Sequence, residues 1–597
     1  MKLPSVHYLT GEALASFRRV PLAMTGALVA AICGIIATEV DDEAPFVRVM
    51  VTAQLALPLF FALAVAAESN RWGRSLRAAL NVVGVVGLVA YHSTLPDLMD
   101  PVDLGVVTRF LQVNVGLHLL AAFVPFARGG SHNGFWQYNR ALFLRFLTAL
   151  LYSAVVYLGL ALALLALDRL LGLPIPDRSY LWLLIVTAFV FNTRVFLGGV
   201  PRDIAGLESV TDYPRALKVF AQYILIPLVA IYLAILTIYL FKVIATAVWP
   251  SGWIGWMVSS VAVVGILALL LVWPVANRTE NRWVATYTRW FFIFMIPGIL
   301  MLLLAVYKRI DQYGVTENRY FLAVLSLWLA AVAVYFIVSQ KRRIKVIPMT
   351  LCAVAFATSF GPWGAYTVSR NSQTARLERL MEANGILVDG AIAKATAEVP
   401  VDDRREISAI SLYLVRYHGG KTFDRWLEGG GIEPADSAVS HGGDEDAARS
   451  IVSAMGLEYV ESWAHAPGRE GHFNYAIDDG ARVFELEGAD YMVRLASTKG
   501  ACDIGATGLV VAWEDSVGVV LRDSTGTVAV ASVDSLFAQI ERGLAGSEYA
   551  MPAGVMRVSA ENERVRLTVY FTMLNGITRG GTPTVNYVKA DCFVALK

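Results

Sequence analysis

Charge is what this sequence most lacks. Asp, Glu, Lys and Arg make up only 17% of the 597 residues, where a soluble domain carries about 25%. Hydrophobic residues make up 56%, so much of the chain must have a solvent other than water. A net charge of +1 removes the electrostatic case for a nucleic-acid partner. Catalytic patterns are missing too: no H-E-x-x-H, G-x-S-x-G, P-loop or paired C-x-x-C occurs. Metalloprotease, nucleophile-elbow, phosphate-loop and dithiol chemistry thus have no residues to stand on, and no cofactor or metal is expected.

What is present is a series of apolar runs long enough to cross a bilayer, which takes about 20 residues each. Eleven are found, at 21–39, 46–67, 76–92, 105–127, 141–167, 180–199, 217–241, 253–274, 289–307, 319–339 and 345–366. The first is too long for a cleaved signal peptide and has no small-x-small cleavage site. Residues 9–20 before it read as an interfacial helix. After Gly361-Pro-Trp-Gly364 the hydropathy drops. Helical periodicity follows at 371–384, 403–417 and 447–456, with a Gly- and Asp-rich connection at 419–446. Strand patterns then run through 482–487, 491–496, 508–514, 517–522, 526–531, 554–559, 564–573 and 584–595, interrupted by a helix at 534–543. The expected fold is an α-helical polytopic membrane domain over 1–366, followed by an extracytoplasmic α+β region. That region is helical over 367–460 and mainly antiparallel β over 461–597.

Charge sorts along the same divide. Residues 1–366 hold 28 basic and 17 acidic side chains, and residues 367–597 hold 22 and 32. Within the first part, Lys2, Arg18 and Arg19, then Arg71, Arg74 and Arg77, then Arg128 and Arg140, fall in alternate loops. The series continues with Arg202, Arg215 and Lys218, with Arg278 and Arg282, and with Lys341 to Lys345. The intervening loops at 40–45 and 96–103 hold no basic residue. Lys and Arg are retained in the cytoplasm, which places the N-terminus inside, in a bacterial inner membrane. An odd number of spans then places the C-terminal region in the periplasm, where an envelope protein is a candidate partner beside the lipid bilayer itself.

Ionisable groups inside a bilayer are costly and are functional suspects. Here Arg48, Glu68, Arg109, Arg145, Asp168, Arg194 and Arg289 all fall near span ends, where long side chains snorkel to the interface. That distribution counts against a proton pump or a carboxylate relay. The best central cluster is Gln112, Asn114 and His118, with Asn114 and His118 one helical turn apart. It either lines a cavity or bonds between helices. Asn192 and Thr193, late in the sixth run, are a weaker candidate of the same kind. Pro227 and Pro297-Gly298 are expected to kink their helices, a feature shared by transporter binding sites and many other membrane proteins.

Cys33 and Cys352 lie in spans and Cys502 and Cys592 in the exported region, where a disulfide between the last two would persist. His418, His441, His465 and His472, with Asp478 and Asp479, follow no recognised metal spacing and read as surface residues.

The most specific stretch is the polar joint Tyr313-Gly-Val-Thr-Glu-Asn-Arg-Tyr320. Thr316 is expected to cap the next helix through its hydroxyl, with Glu317 in the first turn opposing the helix dipole. A Glu317–Arg319 pair would clamp the outer ends of the ninth and tenth spans, with Asn318 and Tyr320 at the interface. An echo, Thr279-Glu-Asn-Arg-Trp283, precedes the ninth span. The segment Arg309-Ile-Asp-Gln-Tyr-Gly-Val-Thr-Glu-Asn-Arg-Tyr-Phe321, followed by a span with Trp328, resembles the signature of a bacterial family of polytopic membrane proteins, domain of unknown function 4153. Phe17-Arg-Arg-Val-Pro21 is similar to that family's start, with Val20 where Phe is usual. The resemblance covers the membrane region, is not visible past residue 366, and implies a multi-pass inner-membrane protein with no assigned activity. The residues favour a non-catalytic envelope protein that anchors, senses or binds a partner. The alternative is a transporter or lipid flippase using the kinked seventh and ninth spans and the polar face of the fourth.

Overall fold

A computed structural model describes residues 17–96, 104–129, 132–246, 253–275, 282–339, 343–427, 435–460, 471–477, 488–496, 501–514, 517–543, 550–579 and 582–597. The expected lead-in helix before residue 17, the echo at 279–281, the strand at 482–487, and His465, Asp478 and Asp479 lie outside those residues. The chain divides into two compact units, residues 1–376 and 377–597.

The first unit is helical because a backbone with no water around it must satisfy its own N–H and C=O groups. Its apolar helices are α1 (Pro21–Ala37), α2 (Ala44–Ser69), α3 (Arg74–His92), α4 (Leu104–Phe123), α5 (His132–Leu171) and α6 (Arg178–Gly198). They continue as α7 (Leu217–Thr246), α8 (Trp253–Val272), α9 (Arg282–Tyr313), α10 (Glu317–Val338) and α11 (Val346–Ser359). Each apolar run of the sequence becomes one of these helices. Among the described residues nine are long and apolar enough to cross a membrane, while α1 and α11 are shorter, at 17 and 14 residues. At about 1.5 Å per residue, α11 reaches only about 21 Å. The run expected to continue to 366 stops at Ser359 because Phe360 is extended and Gly361 is left-handed (φ 83°) ahead of Pro362. A new helix, α12 (Ala365–Ala383), then starts earlier than the expected 371.

Small residues let these helices approach closely, which is how helices associate where lipid removes the hydrophobic drive. A Cβ added to Gly26 on α1 would lie 2.7 Å from the Ala56 Cβ and 2.8 Å from the Ala53 carbonyl of α2. One added to Gly84 on α3 would meet the Phe60 ring of α2 at 2.9 Å. Pro297 lies inside α9, and Pro58, for which the sequence raised no expectation, lies buried inside α2. Pro227 of α7 sits just after a π-turn at Phe220–Leu225, and a second π-turn at Val186–Phe191 precedes Asn192 in α6. Wider turns of this kind are rare and occur mostly as single-turn bulges inside α-helices.

In the second unit a two-strand ribbon, β1 (Leu387–Val388) with β2 (Ala391–Ile392), turns on Asp389-Gly390, both left-handed at φ 51° and 81°. Asp-Gly is the hairpin pair that tolerates this backbone. Helices α13 (Val401–His418), a short Asp424–Leu427 and α14 (Ala435–Ala454), broken at Gly443, follow. The stretch 419–446 is therefore largely helical and not merely a connection. Leu377, Met381, Ile407, Leu414, Phe423 and Val452 are fully buried in the core these helices share.

The strand region begins with β3 (Gly471–Ile477), which was not expected from the sequence, then β4 (Tyr491–Leu495) and β5 (Ala501–Asp503). After these come β6 (Val510–Glu514), β7 (Gly518–Asp523), β8 (Gly526–Ser532) and the helix α15 (Val533–Gly543). The last strands are β9 (Ala550–Met551), β10 (Arg557–Glu561), β11 (Val565–Arg579) and β12 (Thr582–Leu596). One sheet runs β4-β12-β11-β3-β9 with β10 also on β11, and a second runs β5-β6-β7-β8. All pairings are antiparallel except β3 with β9. At the β7–β8 turn the Asp523 carboxylate accepts from the Thr525 hydroxyl and backbone N–H, which hold its pKa below the ordinary value.

Cys502 and Cys592 are free thiols that belong to one apolar cluster, Cys592 buried and Cys502 half-buried at its margin. Burial, aided by the nearby Asp591 charge and Cys502, pushes the Cys592 thiol up to about 12. Its thiolate is therefore scarce near neutral pH, and the thiolate is the reactive form. In folded protein at neutral pH a maleimide is expected to leave Cys592 unlabelled, and mass spectrometry after denaturation should find it labelled. For the close approach of α1 to α2, Gly26→Val is expected to lower the thermal midpoint in detergent, as overpacking by about 1–3 kcal/mol would. An unchanged midpoint would show that the two helices separate freely.

Candidate functional site

Helix α9 ends at Tyr313, and a helix end leaves its last carbonyls without partners. Here those carbonyls are met by side chains from other elements. Gly314 is left-handed at φ 69°, and its N–H donates to the Ile310 carbonyl at 2.8 Å, closing the helix. Arg319 Nη1, from the first turn of α10, donates to the Tyr313 carbonyl at 3.0 Å and to the Gly314 carbonyl at 2.8 Å. Gln373 Nε2 on α12 donates to the Tyr313 and Val315 carbonyls, each at 2.9 Å. The Val315 N–H donates to Ser372 Oγ at 2.9 Å. Three successive carbonyls thus find donors from two helices.

The remaining groups close the clasp. The Arg319 and Arg376 guanidinium groups lie 5.5 and 5.8 Å from the centre of the Tyr313 ring, within cation–π range. Tyr320 donates its hydroxyl hydrogen to the Trp363 carbonyl at 2.5 Å. Glu317, 6% exposed, sits at the positive end of α10. Thr316 occupies the N-cap position, and its carbonyl accepts the Tyr320 N–H, but its hydroxyl makes no capping bond. The cap expected of that hydroxyl is therefore absent. Asn318 is exposed. Arg319, expected to pair with Glu317, donates to the backbone carbonyls of Tyr313 and Gly314. Gly314 admits no other residue easily: a Cβ there would lie 2.8 Å from Gln373 Nε2, and left-handed backbone costs other residues about 1–2 kcal/mol.

The intramembrane candidates do not converge. Gln112 donates from α4 to Thr358 Oγ1 on α11 at 3.0 Å. His118 is exposed, and its Nδ1 lies 2.9 Å from the Asn114 carbonyl of its own helix. Asn192 donates to Ser153 Oγ on α5 at 3.2 Å. These are interhelical and local bonds rather than one polar surface.

Two polar residues do more than the snorkelling or loop charge expected of them. Arg19, at the start of α1, and Glu68, near the end of α2, form a two-pronged ion pair, with Nε to Oε1 at 3.0 Å and Nη2 to Oε2 at 2.8 Å. Arg19 also donates to the Val200 and Pro201 carbonyls beyond α6, at 2.8 and 2.9 Å. Arg77 and Lys345 do similar work, donating to the Ala67 and Phe126 carbonyls at 3.2 and 2.8 Å. Among the described residues no three of His, Cys, Asp and Glu sit close enough to hold a metal ion.

Comparison with known proteins places this architecture. The family model described as a domain of unknown function, DUF4153, matches residues 22–389. The chain belongs to that family. The DUF4153 match begins just after the Phe17–Pro21 segment and runs past residue 366, so it takes in Trp363, Ser372, Gln373 and Arg376 and hence the whole clasp. An uncharacterised protein of Pasteurella multocida (strain Pm70) is 21% identical over 347 residues. That alignment covers 57% of this chain and 56% of the relative, so the chain spans little more than half of that protein's length. No solved structure matches.

The clasp yields a measurable expectation. Gln373→Ala removes two hydrogen bonds worth about 1 kcal/mol each, and Gly314→Ala imposes about 1–2 kcal/mol of backbone strain besides its contact with Gln373. Each variant, purified in detergent, is expected to unfold at a lower temperature than wild type. The double variant is expected to lose less than the sum, because Gln373→Ala deletes the very amide that the methyl added by Gly314→Ala would strike. Full additivity would mean that the two side chains do not meet.

Proposed function

We propose that this DUF4153 protein is a non-catalytic anchor of the bacterial inner membrane, with its N-terminus in the cytoplasm and residues 377–597 outside, where they engage an envelope partner. The observation that carries this reading is the employment of its polar side chains. Arg19, Arg77, Arg319, Lys345 and Gln373 donate to carbonyls at or beyond helix ends. Gln112 and Asn192 tie neighbouring helices together. A transport path needs polar groups that converge along a route through the helices, and Gln112, His118 and Asn192 bond to separate partners instead.

The orientation rests on the alternation of basic and acidic loops along the chain. Counting α1 and α11 as spans makes eleven, an odd number, which sets the two ends of the chain on opposite faces. A transporter or flippase is the competing reading, and the π-turns of α6 and α7 with Pro227 and Pro297 are what favour it. His118, turned outward onto its own helix, gives that reading no support.

An alkaline phosphatase fused after Lys597 is expected to be active and one fused in the loop near Arg128 inactive. The reverse pattern would overturn the orientation. Separately, Gln373→Ala is expected to reduce protein level and phenotype together, while His118→Ala changes neither. A His118→Ala protein at normal level with its phenotype lost would favour transport.

A further inference from the structure

Beside the Arg19–Glu68 pair lies a cavity of about 110 Å³ between the start of α1, the end of α2 and the start of α3. Its polar lining comprises Arg19, Glu68, Trp72, Arg77 and Asn81. The remaining wall is apolar and includes Phe60, Leu63, Ala67 and Leu80. A single water needs about 10–15 Å³ of such space, so the cavity has room for a group of several heavy atoms.

One residue of the lining carries an unmet donor. The indole Nε1 of Trp72 is buried and has no hydrogen-bond partner among the described residues. A buried donor left unmet costs about 1–3 kcal/mol, a cost that an acceptor brought beside the ring would remove. The loop that delivers Trp72 is itself held in an unusual shape. Arg71 is left-handed at φ 50°, one of two non-glycine residues with positive φ among those described. The Trp72 N–H returns to the Ala67 carbonyl at 3.0 Å, and Arg77 Nε grips the Trp72 carbonyl at 2.9 Å.

The charge here favours an anion. Arg19 is offset by Glu68, which leaves Arg77 as the net positive charge of the lining, with Arg71 and Arg74 in the adjoining sequence. The outward face of α3 continues from the cavity as an apolar strip, with Val82, Val83, Val86 and Val89 each more than 60% exposed. A polar, cationic end joined to an apolar track matches an amphiphile with an anionic head.

We propose that this cavity binds the phosphodiester head of an anionic phospholipid, a phosphate oxygen accepting from Trp72 Nε1 and facing Arg77, with the acyl chains along α3. The site is independent of which membrane face is cytoplasmic, so the orientation test and this one fail separately.

The test uses the full-length protein in detergent, titrated with phosphatidylglycerol, phosphatidylcholine or inorganic phosphate, and read by native mass spectrometry and thermal shift. Phosphatidylglycerol is expected to bind at least several-fold more tightly than phosphatidylcholine and to raise the unfolding midpoint. Inorganic phosphate alone is expected to do neither at matched concentration. Trp72→Phe keeps an aromatic ring and deletes the N–H, and is expected to weaken phosphatidylglycerol binding about five-fold. Arg77→Gln is expected to weaken it further and to narrow the preference over phosphatidylcholine. Equal binding of the two lipids would overturn the proposal, and so would wild-type binding by Trp72→Phe. Phosphate binding as tightly as phosphatidylglycerol would overturn the lipid assignment in favour of a free-anion site.

Discussion

The constraint on which the helical unit depends is the unfinished end of each helix. A carbonyl in the last turn has no intrahelical donor, and near a hydrocarbon layer it has little water either. This protein meets the need with long side chains brought from distant elements. Arg319 and Gln373 serve the end of α9, Lys345 serves the turn after α4, and Arg19 serves the turn after α6. At the start of α5, Asn133 and Gln137 donate to the Val210 carbonyl and Arg140 to that of Asp212, pinning the loop before α7. A positive or amide donor at a helix C-terminus also meets the negative end of the dipole. The scarce polar residues are thus concentrated where backbone is exposed.

This gives the basic loops a second role. Arg19, Arg77, Arg140 and Lys345 are among the residues whose alternation along the chain speaks to orientation. The same guanidinium and ammonium groups hold loop and helix ends in place through defined bonds. A substitution at such a position would change the charge bias and the local structure at once, so the two effects need conservative variants to separate them.

Much of this architecture is legible in the sequence, and the misses have physical causes. The eleven apolar runs each become a helix because hydropathy and the need for internal hydrogen bonds point the same way. Hydropathy overestimates the end of α11 because Phe360 and Trp363 are apolar yet sit in a turn set by Gly361 and Pro362. Asp389-Gly390 makes a hairpin between strands too short to show alternation, whereas Asp523-Ser-Thr-Gly526 is expected as a turn and is one. In the joint, the importance of Gly314 through Tyr320 is visible, and its chemistry is not. A local reading assigns Thr316 to capping, since neighbours in sequence are the only partners it can see. Gln373 and Ser372 act from almost 60 residues away, and no pattern in the chain couples them to Tyr313 and Val315. Arg19 and Glu68 are hidden in the same manner, each looking like an ordinary charge at a membrane surface.

The reach of the α9 clasp bears on the order in which the protein can be made. When the turn after α9 leaves the ribosome, Ser372 and Gln373 have not yet emerged, so the Val315 N–H and the Val315 carbonyl lack their final partners. The hairpin of α9 and α10 must wait in a provisional state, its turn wetted by interfacial water, until α12 arrives. Completion of the membrane unit is therefore coupled to translation of the segment that leads into the second unit. A chain truncated before residue 373 would carry every apolar helix and still leave that turn open, which would make it a recognisable substrate for membrane quality control.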